Sequence, residues 1–227
     1  MKIVLLPGLD GTGILFEPLI KLLPSDIEPL IISYPNNKKM NYEELTDYVI
    51  NQLPNEEYIL IGESFSGPVA YQVALLKPKN LKSVIFVASF LSNPRNIILK
   101  LCAFLPLELL FSLRIPRFFI TSFLLGKDIN EQLISLFRQS LKKVPASTLS
   151  YRLREIASLH KKHEHLSTRA VYIQPTNDKL VLSKSVKVFK NVLDNLSVYK
   201  VDGPHFILQA NPLACVKIIV NEIRFVP

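Results

Sequence analysis

A chain of 227 residues, 48% hydrophobic and 20% charged, can bury a full core, which excludes a disordered chain and fits one domain or one domain with an insertion. Its two cysteines, Cys102 and Cys215, sit apart in apolar contexts, which argues against a disulfide framework or a cysteine-ligated zinc site and for a reducing cytoplasm. The net charge of +8 belongs to one stretch: residues 92–169 hold 13 Lys and Arg against 5 Asp and Glu, while the remainder carries 14 of each sign.

The first strand pattern covers residues 2–6, in "MKIVLLPGLDG", and its apolar run is too short before Pro7 for a signal peptide. The loop "LPGLDGTG", residues 6–13, spaces its glycines G-x-x-G-x-G and lacks a following Lys-Ser/Thr pair. It therefore fits neither a dinucleotide fingerprint nor a phosphate loop. A second strand pattern covers 29–33. Asn41 then reads as an N-cap, with Glu44 three residues on, for a helix that stops before Pro54. A third strand pattern, 57–61, runs into "GESFSG" and a helix ending at Pro78, and a fourth covers 83–88.

From Ser92 to about Ser167 no strand pattern appears. The most apolar part, Ile97 to Leu113, is interrupted by Lys100, Pro106 and Glu108, so a membrane-spanning helix is not expected. "DINEQLISLFRQSLKK" predicts a helix capped by Asp128 with Glu131, with Leu133, Phe137 and Leu141 on one face, and Leu149, Leu153, Ile156 and Leu159 repeat that spacing. Strand patterns resume at 169–173 and 196–201. The last helix has Asn211 as cap and Pro212 as its first residue. Several strand runs are apolar on both alternating positions, as in strands buried on both faces. Strand alternating with helix predicts an α/β fold, a mostly parallel sheet of about six strands with helices on both faces. The expected division is a core of residues 1–91 and 168–227, with 92–167 as a helical, basic and apolar cap insertion.

Ser64 stands between Gly62 and Gly67 at the end of a strand. A serine hydroxyl attacks a carbonyl only with a base beside it, an acid orienting that base, and N–H groups aimed at the developing oxyanion. A G-x-S-x-G turn meets the steric requirement by exposing the serine between small neighbours. Here the pattern is G-x-S-x-S-G, with Ser66 where the second glycine usually stands. The order serine, acid, histidine expected on such a sheet is met by Asp178 after the 169–173 strand and His205 after the 196–201 strand. Both fall just past strand C-termini, where open parallel sheets place their sites. With strand order 2-1-3-4-5-6, the glycine loop and Ser64 face each other at the switch point. The oxyanion donors would then be the backbone N–H groups of Leu9 and Phe65.

With "LPGLDGTG" and "GESFSG" in these places, the chain resembles the α/β-hydrolase-fold serine hydrolases over essentially its whole length, within them the thioesterase-like and esterase/acyltransferase branches. The resemblance implies Ser64, Asp178 and His205 as a catalytic triad, with Leu9 and Phe65 as oxyanion donors and no cofactor or metal. It also implies a sheet that begins at the oxyanion strand and lacks the first two strands of the full family sheet.

Four other features have a structural alternative. Asp202, three residues before His205, reads as a turn residue rather than the acid. Glu63, one step along a sharp turn from Ser64, is expected to point elsewhere, and Asp10 to brace its own loop. "HKKHEHL", residues 160–166, reads as a solvated helix end rather than a metal site. The expected activity is hydrolysis of an acyl ester or thioester through an acyl-enzyme on Ser64. The alternatives are acyl transfer with the same triad, or a non-catalytic binding protein. Apolar and basic character together in the cap suit an apolar acyl chain attached to coenzyme A, an acidic carrier protein or an anionic membrane surface. They suit equally a cap whose Leu and Phe pack onto the core and whose charges keep it soluble. No nucleic-acid recognition motif is present. The expected location is the cytoplasm, with peripheral membrane contact as an option.

Overall fold

The computed structural model describes residues 1–94, 117–126, 129–159 and 163–225. Cys102, Arg114, Asp128, His160 and the Ile97–Leu113 run lie outside the described residues. Six strands, β1 (Lys2–Leu6), β2 (Glu28–Ile31), β3 (Tyr58–Glu63), β4 (Leu81–Val87), β5 (Ala170–Pro175) and β6 (Leu196–Val201), form one sheet in the order β2-β1-β3-β4-β5-β6. Every pairing is parallel. The predicted strands coincide with these to within two residues at each end.

Period-two alternation assigns the sheet's side chains to two cores. Val4, Leu6, Leu60 and Phe86 pack with α2 (Tyr42–Ile50), α3 (Gly67–Leu75) and α7 (Ser185–Val192). Ile3, Leu5, Ile61 and Ile85 pack on the other face with α1 (Glu17–Ile20), α8 (Ile207–Ala210) and α9 (Pro212–Phe225). All six residues of β3 are buried, and Tyr58 to Ile61 supply the apolar run that a central parallel strand requires. Phe189 of α7, fully buried, sets its ring 4.7 Å from Phe86 and 4.9 Å from Tyr172. Burial of such a ring contributes about 2–3 kcal/mol. α2 begins with the capping box expected of it, since the Asn41 side chain accepts from Glu44 N–H and the Glu44 carboxylate accepts from Asn41 N–H, both at 2.9 Å.

Between β4 and β5 the described chain is helical: α4 (Arg117–Phe119), a π-helical stretch Ile120–Leu125, α5 (Glu131–Lys142) and α6 (Ala146–Ala157). The cap of α5 differs from the expectation. Asn130 is its N-cap and accepts from Leu133 N–H at 2.9 Å. Of the two capping residues in "DIN", the one adjacent to the first helical residue reaches the third-residue N–H. Leu133, Ile134 and Phe137 of α5 cluster with Ile120 and Leu124 over Leu15. Leu153 and Ile156 of α6 belong instead to one of the sheet's own cores. Among the described residues no helix is long and apolar enough to cross a membrane.

Candidate active site

β1 and β3 are neighbours at the centre of the sheet, but the helices that follow them cover opposite faces. The loops leaving these strands therefore part at their C-terminal ends and open a crevice there. One bank is the loop after β1, residues 7–13. The other is the turn from β3 into α3, which carries Ser64.

Ser64 has φ 47°, the left-handed region that a non-glycine residue adopts at a strained functional turn. Its neighbours need to be small. A Cβ on Gly62 would lie 2.8 Å from the Ala70 Cβ, and one on Gly67 would lie 1.8 Å from the Ser89 Oγ. Ser89 in turn donates to the Ser64 carbonyl at 2.6 Å, while its own N–H and carbonyl both bond the Tyr172 hydroxyl. Sequence reasoning missed Ser89 and Tyr172. They lie on β4's exit and on β5, and only the sheet order brings them under the turn.

The three side chains singled out by chain order meet. Ser64 Oγ is 2.8 Å from His205 Nε2, and His205 Nδ1 is 2.8 Å from Asp178 Oδ2. The other Asp178 oxygen accepts the N–H groups of Leu180 and Val181, each at 2.8 Å, which fixes the carboxylate before it meets the ring. The side chains of Asp178 and His205 are both 4% exposed. Burial alone lowers the His205 pKa. The charge and hydrogen bond of Asp178, with the Glu63 charge behind them, outweigh that effect and hold it above the ordinary imidazole value. Asp202 bonds Thr176 Oγ1 at 2.7 Å and Asn177 Nδ2 at 3.2 Å, so it ties two loops together and has no bond to His205.

Glu63 does not point out to solvent. It is 3% exposed, and its carboxylate accepts from Gln209 Nε2 at 3.0 Å. Burial, the largest effect, together with the nearby Asp10 charge pushes its pKa up to about 7, against the opposing pull of the Gln209 bond and His205. Asp10 does brace its loop: Oδ2 accepts the Thr12 N–H at 3.0 Å and bonds the Thr12 hydroxyl. In "HKKHEHL" the described side chains diverge. His163 packs edge-on against Tyr71, and His165 lies 3.3 Å from the Asp194 carboxylate.

Ser66 and Arg152 were not singled out by sequence as site residues. Ser66 is fully buried, donates to the Pro7 carbonyl and accepts from Tyr34 Oη at 2.5 Å. The departure from G-x-S-x-G thus places a hydroxyl where a glycine would have none. Arg152 of α6, 3% exposed, donates to the carbonyls of Leu9 at 2.9 Å, Asp10 at 2.8 Å and Pro35 at 3.2 Å. One cation of the basic segment is therefore consumed inside the protein. Another, Arg117, pairs on the surface with Glu131.

No family model matches the chain. A curated relative, the pimeloyl-[acyl-carrier protein] methyl ester esterase of Pseudoalteromonas atlantica, is 34% identical over 94 residues. These cover 38% of this chain and 36% of that protein, so the match spans about a third of the relative's length. Solved structures match far more of the chain at lower identity. An esterase from Exiguobacterium antarcticum superimposes with a TM-score of 0.78 at 12% identity over 99% of this chain and 92% of its own. A lipase-esterase related protein from Clostridium acetobutylicum gives 0.77 at 16% identity, covering 97% and 93%. The type II thioesterase BorB of the borrelidin biosynthetic cluster gives 0.74 at 16% identity, covering 97% and 91%. Likeness at such identity carries architecture and nothing finer, and with the sheet order and the turn after β3 it establishes that this chain has the α/β-hydrolase fold.

Proposed function

We propose that the protein is a serine hydrolase that cleaves an acyl ester or thioester through an acyl-enzyme on Ser64. The observation that carries this reading is the unbroken line from Ser64 Oγ through the His205 ring to the Asp178 carboxylate, two contacts of 2.8 Å, on a turn that holds the serine at φ 47°. Ser64 Oγ attacks the acyl carbonyl carbon while His205 Nε2 takes its proton. Asp178 holds the imidazole in the tautomer with Nδ1 protonated and stabilises the imidazolium that forms. The oxyanion is received by the N–H groups of Leu9 and Phe65. Phe65 is the second residue of the helical turn Ser64–Ser66, where N–H groups lack intrahelical partners. Collapse of the tetrahedral intermediate breaks the bond to the alkoxide or thiolate, which leaves with the proton from His205. Water, deprotonated by the same ring, then hydrolyses the acyl-enzyme.

The relative that acts on an acyl-carrier-protein methyl ester and the thioesterase among the structural matches support a substrate whose acyl group is carried on a larger, acidic carrier. Residues 92–167 act as the cap over that acyl group. Their Leu- and Phe-rich sequence and the exposed Phe118 support an apolar chain, and cytoplasmic placement suits such a carrier. A fluorophosphonate probe tests the reaction: it should label the native protein on Ser64, read by mass spectrometry of the peptide, and leave Ser64→Ala unlabelled. Turnover of p-nitrophenyl esters against acyl thioesters of graded length then reads the substrate class. An unlabelled native protein that turns over neither would overturn the reading.

A further inference from the structure

Six consecutive carbonyls in the loop after β1 all accept hydrogen bonds. Pro7 takes one from Ser66 Oγ, Gly8 from the Gly11 N–H at 3.0 Å, Leu9 and Asp10 from the Arg152 guanidinium, Gly11 from the Tyr34 N–H at 2.8 Å, and Thr12 from Ser33 Oγ at 2.7 Å. A peptide unit is planar, so a held carbonyl also holds the direction of the next residue's N–H. The Gly8 carbonyl thus aims the Leu9 N–H, and Arg152 holds the peptide on the other side of Leu9. Both planes that meet at Leu9 are fixed.

Four residues outside the loop supply donors, and two of them, Ser66 and Arg152, have a defined task. Ser66 lies one residue after Phe65, so its bond to Pro7 ties the turn carrying the Phe65 N–H to the loop carrying the Leu9 N–H. Arg152 arrives from α6, 143 residues away from Leu9 in sequence. Its guanidinium lies 5.7 Å from the Tyr34 ring centroid, and the Tyr34 hydroxyl bonds Ser66. Ser66, Tyr34 and Arg152 therefore form one connected set. Gly11 makes room for it. Its φ is +69°, and a Cβ there would lie 2.4 Å from the Arg152 Nη1. A guanidinium reaches three carbonyls with two nitrogens in a planar fork, which an ammonium on a flexible stem cannot do.

We propose that Arg152 and Ser66 are positioning residues for the oxyanion site: Ser66 sets the separation of its two N–H donors, and Arg152 sets the orientation of the Leu9 peptide. This rests on the reading of Leu9 and Phe65 as oxyanion donors. Neither residue touches the acyl group, so their effect falls on kcat and not on substrate binding. Removing one oxyanion donor lowers kcat by about 10²–10³-fold, and misaligning one should do less, about 10–100-fold.

The test measures kcat and KM on p-nitrophenyl butyrate and the rate of fluorophosphonate labelling for Arg152→Ala, Arg152→Lys and Ser66→Ala. Folding is checked by circular dichroism and thermal melting. We expect kcat and labelling rate to fall in parallel, about 10–100-fold for both Arg152 variants and about tenfold for Ser66→Ala, with KM within about threefold. The pH of half-maximal activity should not move, because the His205–Asp178 pair is untouched. Millimolar guanidinium should restore part of the loss in Arg152→Ala and none in Ser66→Ala. If Arg152→Ala does not fold, Arg152→Lys and Ser66→Ala carry the same comparison. Folded variants that label and turn over at the native rate would overturn the proposal, as would a raised KM at native kcat. Native protein that the probe does not label on Ser64 would remove the underlying reading instead, a result distinct from native labelling with unaffected variants.

Discussion

On the His205 side of Ser64 the site consists of side chains, and on the side of residues 7–13 it consists of main chain. His205 and Asp178 act through one contact each, 2.8 Å to Ser64 and 2.8 Å between them. The opposite loop offers only peptide groups, held by donors from β2's exit, the Ser64 turn and α6. A single atom replaced in the first region breaks a serial line, so loss there is complete. The second region is a parallel set of restraints, and removing one leaves the others, so loss there is graded. Burial imposes the same condition on both, since a polar group out of water must keep a partner.

The largest expected effect tests the serial line. Ser64→Ala and His205→Ala should each lower kcat on a p-nitrophenyl ester by more than about 10⁴-fold, with the double variant little worse than either, because the residues act as a unit. Multiplicative losses in steady-state assays would show that the two do not form one line. Next, Asp178→Asn should cost about 10³–10⁴-fold, since the amide favours the wrong imidazole tautomer, whereas Asp202→Asn, which loses only loop contacts, should cost less than about tenfold. The reverse ranking would move the acid's role to Asp202. In the same assays, activity should rise with pH as His205 loses its proton, with a midpoint above the ordinary imidazole value. Asp178→Asn should lower that midpoint, because it removes the charge that favours the imidazolium.

Glu63 separates the regions by stability and not by rate. Its folded-state pKa is raised from 4.5 to about 7, so the folded protein binds that proton more tightly than the unfolded chain. The resulting stabilisation is full below the unfolded value and is lost as pH rises through about 7. Glu63→Gln cannot lose a proton and should flatten the fall in melting temperature between about pH 5 and 8 by several degrees. An unchanged slope would show that Glu63 is not the titrating group. The smallest expected effect concerns Arg117, whose pair with Glu131 is more than half exposed on both sides. Arg117→Ala should change stability by less than about 1 kcal/mol in urea melts. A larger loss would mean that the surface pair contributes on the scale of buried Arg152.

The elements of the fold were legible because each depends on neighbours in sequence. Short apolar runs, several apolar on both alternating positions, became strands, and Asn41 with Glu44 became a capping box. Chain order and strand ends singled out Ser64, Asp178 and His205, residues with distinctive chemistry and few competitors. The cap assigned to Asp128 falls instead to Asn130, which directly precedes the first helical residue and accepts the Leu133 N–H. Where Glu63 points was not legible, because the direction of a side chain at the end of a strand depends on what packs against it, here Gln209.

By itself the sequence determined the alternation of strand and helix, the glycines that a sharp turn needs, and the order of the three reactive side chains, since local sterics and periodicity act over a few residues. The tertiary structure alone decided which donors hold the loop at residues 7–13. Backbone carbonyls are identical in every sequence, so nothing in "LPGLDG" announces that its partners are Ser66 and Arg152. Arg152 carries the same formal charge as the other 26 Lys and Arg residues. Only packing α6 against the sheet buries that charge over three carbonyls and turns a surface type of residue into an internal strut.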